Sequence, residues 1–337
     1  MRPTDLATHL TAFLTGYLPA QRNASPNTVK AYRDAFALLL RYCRDVQGLA
    51  LKRLTLKQID PPLVLGFLDH LAKERGCSAR TRNLRLTALH SFFRYLQVEE
   101  PSFLLPCQRI LAIPLQRQVC SPVDYLSPES LAAILQQPDL TRRAGRRDAV
   151  LLSLLYDTGT RVQELIDLSA RDVRLASPAQ LRVTGKGRKT RIVPLMDSTV
   201  ALLQEYLEEQ GLTGPEHLDK PLFPNRHGGR LSRSGVRYLV EKYTEKASTA
   251  QPGLALPHVS PHTFRHSKAM HLLQSGNPLV VIRDFLGHAD IKSTEIYARS
   301  DLDMKRRALD KSREKSPTPE IPSWKKDESL LDWLSSL

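Results

Sequence analysis

Cysteine is scarce: only Cys43, Cys77, Cys107 and Cys120 occur in 337 residues. No two form a Cys-x-x-Cys pair and none lies near a histidine cluster. Neither a zinc site nor a disulfide framework is therefore indicated. Long apolar runs are missing too, so no membrane span is expected. The opening residues Met1-Arg2-Pro3-Thr4-Asp5-Leu6 lack the apolar core of a signal peptide. These absences lead to the expectation of a reduced, cytoplasmic or nucleoid-associated setting, no metal and no membrane. Negative charge is also short, with 35 Asp and Glu against 49 Lys and Arg, a formal net charge of +14. Such a surplus suits a polyanionic partner, and with no apolar span nucleic acid fits better than a membrane. The bland alternative is a soluble protein that is merely basic.

What is present is enough to build cores. Hydrophobic residues make up 41% of the chain, and its length accommodates two domains. From about Thr4 to Arg117 the pattern is helical. Leu6, Leu10, Phe13 and Leu14 recur at helical spacing. Ser25 caps a helix with Pro26 in its first turn, carrying Val29, Tyr32, Phe36, Leu39 and Leu40. Asp60-Pro61-Pro62 opens a third, with Leu63, Phe67, Leu68 and Leu71. Ser78 opens a fourth, with Leu84, Leu86, Leu89, Phe92, Phe93 and Leu96. That helix also carries Arg80, Arg82, Arg85 and Arg94, which suit DNA phosphates at a helix start or form a solvated face.

Residues 116–127 read as an exposed linker with Pro122 and little periodicity. Ser127-Pro128-Glu129-Ser130 begins a new helix. An apolar helix from Arg146 to Tyr156 stops at Asp157-Thr158-Gly159-Thr160, and Arg161 leads into another. Leu181–Thr184 and Thr190–Leu195 alternate like strands, joined by Gly185-Lys186-Gly187-Arg188-Lys189 as a hairpin turn. Helices are expected over Ser198–Gln210 and Leu231–Ala247. Ser316-Pro317-Thr318-Pro319 reads as a loose linker before a short amphipathic tail with Leu330, Trp333, Leu334 and Leu337 on one face. The expected organisation is a helical domain at 1–117, a linker at 118–126, a catalytic domain at 127–312, and a C-terminal linker and helix at 313–337.

Between Pro261 and Ser300 lie His262, Arg265, His266, His288 and Tyr297, the tyrosine nine positions after His288. Taken singly, each is an ordinary residue: a structural histidine, a core aromatic, a turn lysine at 186. Taken in order, Thr158-Gly159-Thr160-Arg161, Gly185-Lys186-Gly187-Arg188-Lys189, His262-Thr263-Phe264-Arg265-His266-Ser267, Leu286-Gly287-His288 and Tyr297 form one pattern. It resembles the tyrosine recombinases: phage-type integrases, Xer chromosome-dimer resolvases and transposon-encoded relatives. The resemblance is dense from Leu151 to Ser300 and generic before that. Lys268 and Met270, where many relatives carry a small or apolar residue, and Glu295 depart from the pattern and leave the sub-branch open.

The resemblance implies a mainly α fold with a small β-sheet. A helical SAM-like core-binding domain and a mixed α/β catalytic domain would form a C-shaped DNA clamp. It implies strand cleavage and religation by transesterification, through a 3′-phosphotyrosyl ester and a Holliday junction, without a cofactor. Tyr297 would be the nucleophile, Arg161 and Arg265 the phosphate forks, and Lys186 the general acid, with Lys189 as its rival. His288 would bond a phosphate oxygen, and His262 would accept the tyrosine proton or bond the phosphate. Arg188 and Lys189 join the arginines of the fourth helix as DNA contacts. The expected partners are double-stranded DNA with paired inverted arms, further copies in dimers and a tetrameric synapse, and a second recombinase. The tail would dock into a neighbouring protomer or fold back onto its own catalytic domain. Two other readings share parts of the pattern: a type IB topoisomerase and a catalytically inactive DNA-binding protein.

Overall fold

The computed structural model describes residues 3–117, 123–185, 187, 189–254 and 256–300. The chain separates into two compact units, Met1–Cys120 and Ser121–Leu337. In the first unit, α1 (Asp5–Ala12) starts at Thr4, whose hydroxyl accepts from the Ala7 amide. Its winding then widens into a π-helical stretch, Phe13–Gln21, that holds Pro19. Spacing alone suggested an ordinary helix here, because the same leucines satisfy either winding over so short a run.

Side-chain caps fix the next three starts. Ser25 accepts from Thr28 N to open α2 (Pro26–Asp45), Asp60 from Leu63 N to open α3 (Pro61–Lys73), and Ser78 from Thr81 N to open α4 (Ala79–Glu99). Each oxygen satisfies a donor that a helical first turn leaves open. A fifth helix, α5 (Leu104–Leu111), follows. The core is aromatic: Phe13 and Phe36 meet Phe92 edge-on, with centroids 5.4 and 5.2 Å away. Buried polar groups on α4 tie down the outgoing chain. Asn83 exchanges two hydrogen bonds with the Gln116 backbone at 2.8 and 2.9 Å, and His90 Nε2 lies 3.1 Å from the Ile110 carbonyl.

Within the stretch read as an exposed linker, Gln116, Arg117 and Asp124 are exposed, but its end is anchored to the second unit. Leu126 is fully buried, its amide donates to Ser267 Oγ at 2.8 Å, and its carbonyl lies 2.9 Å from His271 Nε2. Then come α6 (Pro128–Leu135), α7 (Arg143–Asp157) and α8 (Val162–Asp167). An antiparallel sheet follows in the order β1 (Val173–Arg174), β2 (Gln180–Thr184), β3 (Thr190–Pro194). Leu181 pairs with Val193, and Thr184 with Thr190. Leu181, Val183 and Val193 point into the core, which is the alternation read from sequence. β1 was not anticipated, because two residues carry no period.

Helices α9 (Asp197–Glu209), α10 (Arg233–Ala250), α11 (Pro261–Gln274), α12 (Leu279–Leu286) and α13 (Lys292–Ser300) complete the described chain. The main core spans α6 to the start of α11. A smaller cluster of Ala269, Met270, Leu273, Ile282, Leu286 and Tyr297 joins α11, α12 and α13. Among the described residues no helix is long and apolar enough to cross a membrane.

Candidate active site

Two glycine turns bring the site together. α7 ends at Gly159, with φ +55°, and α12 ends at Gly287, with φ +65°. Both need a backbone conformation that other residues adopt at a cost. Both are also crowded. A Cβ on Gly159 would meet Leu286 Cδ2 at 2.7 Å, and one on Gly287 would meet Arg191 Nη1 at 2.9 Å. The first turn delivers Arg161 at the start of α8, and the second delivers His288.

Helix α11 supplies the third component. Ser260 caps it in a reciprocal box with Thr263, and Pro261 occupies its first turn. His262, Arg265 and His266 then share one face, three and four positions apart. Arg265 is 3% exposed. Its Nη1 donates to the Gly159 carbonyl at 2.6 Å and its Nη2 to the Leu286 carbonyl at 2.7 Å. One guanidinium thus joins the ends of α7 and α12, at the turn glycine of the first and at the residue before the turn glycine of the second. Burial, then the nearby Arg161 charge, pushes its pKa down to about 10, so it stays charged at neutral pH.

Arg161 is held by a carboxylate that sequence reading left unassigned. Glu164 Oε1 accepts from Arg161 Nη1 at 2.7 Å, and Oε2 accepts from the Arg161 amide at 3.0 Å. Glu164 also receives Arg191 Nη2 at 2.9 Å, while Arg191 Nε donates to the Phe285 carbonyl at 3.0 Å. Burial works against the Glu164 charge, but Arg191 and Arg161 outweigh it and hold the carboxyl below its usual range. Arg191 on β3 therefore ties the sheet to both turns. Glu164 had a local signal, three positions after Arg161 in a helix-capping pattern. Arg191 had none beyond its place on a strand.

Tyr297 lies in α13 and is 1% exposed. Its hydroxyl is 2.9 Å from His266 Nδ1. Burial raises its pKa, and Arg265 and Arg161 only partly offset this, so it is a phenol at neutral pH. His288 lies nearly parallel to the tyrosine ring, at 11° and 6.4 Å between centroids, and its Nδ1 is 2.9 Å from Thr294 Oγ1. Burial, then Arg265 and Arg161, pushes His288 down to about 4. His262 is exposed on the first turn of α11. Local desolvation and then the Arg265 and Arg161 charges lower its pKa as well. Lys268 is scaffolding: its Nζ sits 4.7 Å over the Tyr156 ring and 3.8 Å from Asp157 Oδ1.

Five of the anticipated catalytic positions, Arg161, His262, Arg265, His288 and Tyr297, are thus described, and the Arg161 and Arg265 charges bear on the other three. The sixth, Lys186, lies outside the described residues, as do Arg188 and the tail residues Leu330, Trp333, Leu334 and Leu337. The hairpin around Lys186 closes with Gly185 N donating to Lys189 O at 2.8 Å, and Lys189 is exposed. Of the anticipated α4 contacts, Arg80 and Arg94 are exposed and Arg85 is half-buried, bonding the Ala31 carbonyl at 3.3 Å. Arg82 departs from that expectation of an open basic face: it is 5% exposed, and its Nε and Nη1 have no partner among the described residues. Leu84, read as part of the apolar stripe, is 51% exposed. Among the described residues no group of three or more His, Cys, Asp or Glu is placed to hold a metal ion.

A buried phenol beside two arginine cations has the chemistry to attack a phosphodiester and to stabilise the charge that develops on it. Comparison with known proteins agrees. Residues 124–303 match the phage integrase family, and residues 10–100 match the phage integrase N-terminal SAM-like domain. The putative integrase/recombinase y4rC of Sinorhizobium fredii is 40% identical over 335 residues, covering 99% of this chain and 98% of that one. The tyrosine recombinase XerC of Pelobacter propionicus is 34% identical over 305 residues, covering 90% and 95%. The solved pre-cleavage complex of the XerH site-specific recombinase with its difH substrate is 25% identical, with a TM-score of 0.65, covering 88% of this chain and 81% of that one. The chain belongs to the phage integrase family of tyrosine recombinases, enzymes that cut and rejoin DNA at specific sites.

Proposed function

We propose that Tyr297 attacks the scissile phosphate and becomes esterified to the 3′ end, releasing a 5′-hydroxyl. The bond energy is kept in the ester, so the strand can be rejoined without a cofactor. Arg161 and Arg265 bind the non-bridging oxygens and stabilise the charge that builds on them. His262 and His288 add hydrogen bonds to the same oxygens. Lys186 protonates the leaving oxygen, with Lys189 on the same hairpin as the alternative donor. The observation that carries this reading is the pairing of the Arg161 and Arg265 charges beside Tyr297, from three helices far apart in sequence.

The substrate is double-stranded DNA with two inverted arms around a short spacer. The +14 net charge suits that partner. Arg80, Arg85, Arg94, Arg188 and Lys189 hold its backbone, and Arg82 reaches it from a buried position. Dimers on each site pair into a tetramer, with a second recombinase as a further partner. The apolar face of Leu330, Trp333, Leu334 and Leu337 docks on the neighbouring protomer. The setting is the cytoplasm, on the nucleoid. The product serves integration, excision, transposition or resolution of a DNA element.

The test uses supercoiled plasmid bearing candidate sites and a nicked suicide duplex. Wild-type protein yields recombinants and a covalent adduct on denaturing gels, whereas Tyr297→Phe yields neither while still shifting DNA. An adduct in Tyr297→Phe would place the nucleophile elsewhere. Relaxation without recombinants would favour a topoisomerase, and a mobility shift alone an inactive binding protein.

A further inference from the structure

The Tyr297 hydroxyl meets an imidazole that the roles above leave unused. We propose that His266 is the group that receives the Tyr297 proton as the tyrosine attacks. This deepens the reading of Tyr297 as nucleophile and rests on it.

Geometry separates His266 from the other two histidines of the site. Its Nδ1 lies 2.9 Å from Tyr297 Oη, the reach that a general base needs. The rings are inclined at 60°, with centroids 5.6 Å apart. A nitrogen lone pair lies in the plane of its ring. His288 stands nearly parallel to Tyr297, at 11°, with 6.4 Å between ring centroids. Its Nδ1 is also engaged by Thr294 Oγ1. His262 is one helical turn from His266, its ring centroid 6.4 Å from that of His266, at the exposed start of α11.

The contact is built into the helix. α11 has to hold Arg265 against two carbonyls, and the next residue then points into the small α11–α13 cluster where Tyr297 is buried. His266 and Tyr297 are 31 positions apart, and Tyr297, 1% exposed, cannot shift far without disturbing that packing.

Without DNA the pair is quiet. Burial, then His262 and Arg265, pushes His266 down to about 4, while the Asp124 carboxylate opposes this. His266 is neutral, so with its proton on Nε2 it accepts from the phenol through Nδ1. A phosphate entering between Arg161 and Arg265 brings negative charge that offsets the cations and favours an imidazolium. The step then balances. The Tyr297 Oη–H proton passes to His266 Nδ1 as the Oη–P bond forms. The P–O5′ bond breaks, and the 5′ oxygen takes its proton from the acid, for which Lys186 is proposed. Rejoining reverses each transfer.

The test measures single-turnover adduct formation on a nicked duplex at saturating full-length protein. His266→Ala is expected to cut about 10²-fold more slowly, the low end of what a general base supplies, with unchanged affinity for a single arm. Replacing Tyr297 by 3-fluorotyrosine makes the phenol more acidic and reduces its need for a base, so the His266→Ala loss is expected to shrink several-fold. A wild-type cleavage rate in His266→Ala would overturn the proposal. So would an equal loss with either phenol, because that marks packing alone. Should the alanine variant melt early, His266→Asn, which keeps a polar group without a titrating ring, is carried through the same two phenols and is judged by the same ratio. Tyr297→Phe runs beside both: an adduct there would remove the nucleophile assignment, whereas loss of adduct there with normal cutting in His266→Ala would remove only the role of His266.

Discussion

Helices α4 and α11 open alike and end up doing different things with their charge. Each starts at a serine whose hydroxyl caps the first turn, Ser78 and Ser260, and each places basic residues in its first two turns. On α4, Arg80 and Arg94 face solvent and Arg82 is buried with two nitrogens unpaired among the described residues. On α11, Arg265 is buried just as deeply, but two backbone carbonyls accept from it. A buried cation with fixed acceptors is locked in place, and its second N–H on each nitrogen can be aimed. A buried cation without them is costly unless a ligand supplies the acceptor. Helix α11 therefore holds its buried arginine on fixed acceptors and α4 does not; on the function proposed above, DNA would supply the missing acceptor.

The largest expected effect comes from breaking that arrangement on α11. Arg265→Lys keeps the charge but cannot reach both the Gly159 and Leu286 carbonyls with one planar fork. Single-turnover cleavage is expected to fall by at least about 10²-fold, in line with removal of one preorganised donor. Affinity for a single arm should change little. Near-normal cleavage in this variant would mean that Arg265 is a structural clamp and does not act on the phosphate.

Next in size is the carboxylate that holds Arg161. Glu164→Gln leaves the shape but weakens two arginine contacts, those with Arg161 and Arg191. Cleavage should drop by about 10-fold or more, since charge-assisted hydrogen bonds contribute about 1.5–3 kcal/mol. If Glu164 acts only by placing Arg161, adding Glu164→Gln to Arg161→Ala should cost nothing further in cleavage rate. Additive losses in that double-mutant cycle would show that the Arg191 link to Phe285 matters independently.

Sequence reading reached α11 more fully than α4, and helical geometry explains the gap. Caps are local, so Ser25, Ser78 and Ser127 were legible from three or four residues, whereas Ser260, with the same kind of signal, was passed over. Burial on α4 was legible too, but only from the angle around the helix. Arg82 precedes Leu86, Leu89 and Phe93 by four, seven and eleven positions, which puts it on their buried side. Leu84 lies about 200° round from Leu86, on the opposite side. Listing the apolar and basic residues separately hid both facts. The carbonyls that hold Arg265, and the meeting of Arg191 with Glu164, depend on chain segments distant in sequence, and no local pattern carries them. The His266–Tyr297 contact was half visible: both residues were in view, but their distance was not.

Arg82 supplies a sharper test of the α4 side of the comparison. Arg82→Met keeps the apolar stem and removes nitrogens that have no partner among the described residues. Thermal stability is expected to hold or rise, because replacing a buried unsatisfied group relieves a cost of about 1–3 kcal/mol. Affinity for a DNA arm should fall, and the salt dependence of binding should flatten by about one phosphate contact. Arg80→Ala, on the exposed side, should weaken binding at unchanged stability. A drop in stability for Arg82→Met with unaltered binding would make Arg82 a structural residue and erase the distinction drawn between the two helices.

The smallest expected effect is on acid stability. In the catalytic unit His262, His266, His271 and His288 all have lowered pKa values, His266 and His288 at about 4, each chiefly through burial. In the N-terminal unit His90 is lowered, again by burial. An unfolded histidine titrates near 6.5, so between about 4 and 6.5 the unfolded chain binds more protons than the folded one. Stability contributed by these neutral imidazoles is complete above that window and is lost as pH falls through it. Going from pH 7 to pH 5 should therefore loosen the catalytic unit more than the N-terminal one. Amide hydrogen exchange resolves the two, with α11 and α13 expected to lose protection before α4. His266→Asn removes one of the titrating groups and should reduce the difference. Equal loss of protection in both units would mean that the histidines of the site are hydrated enough to take up protons without unfolding it.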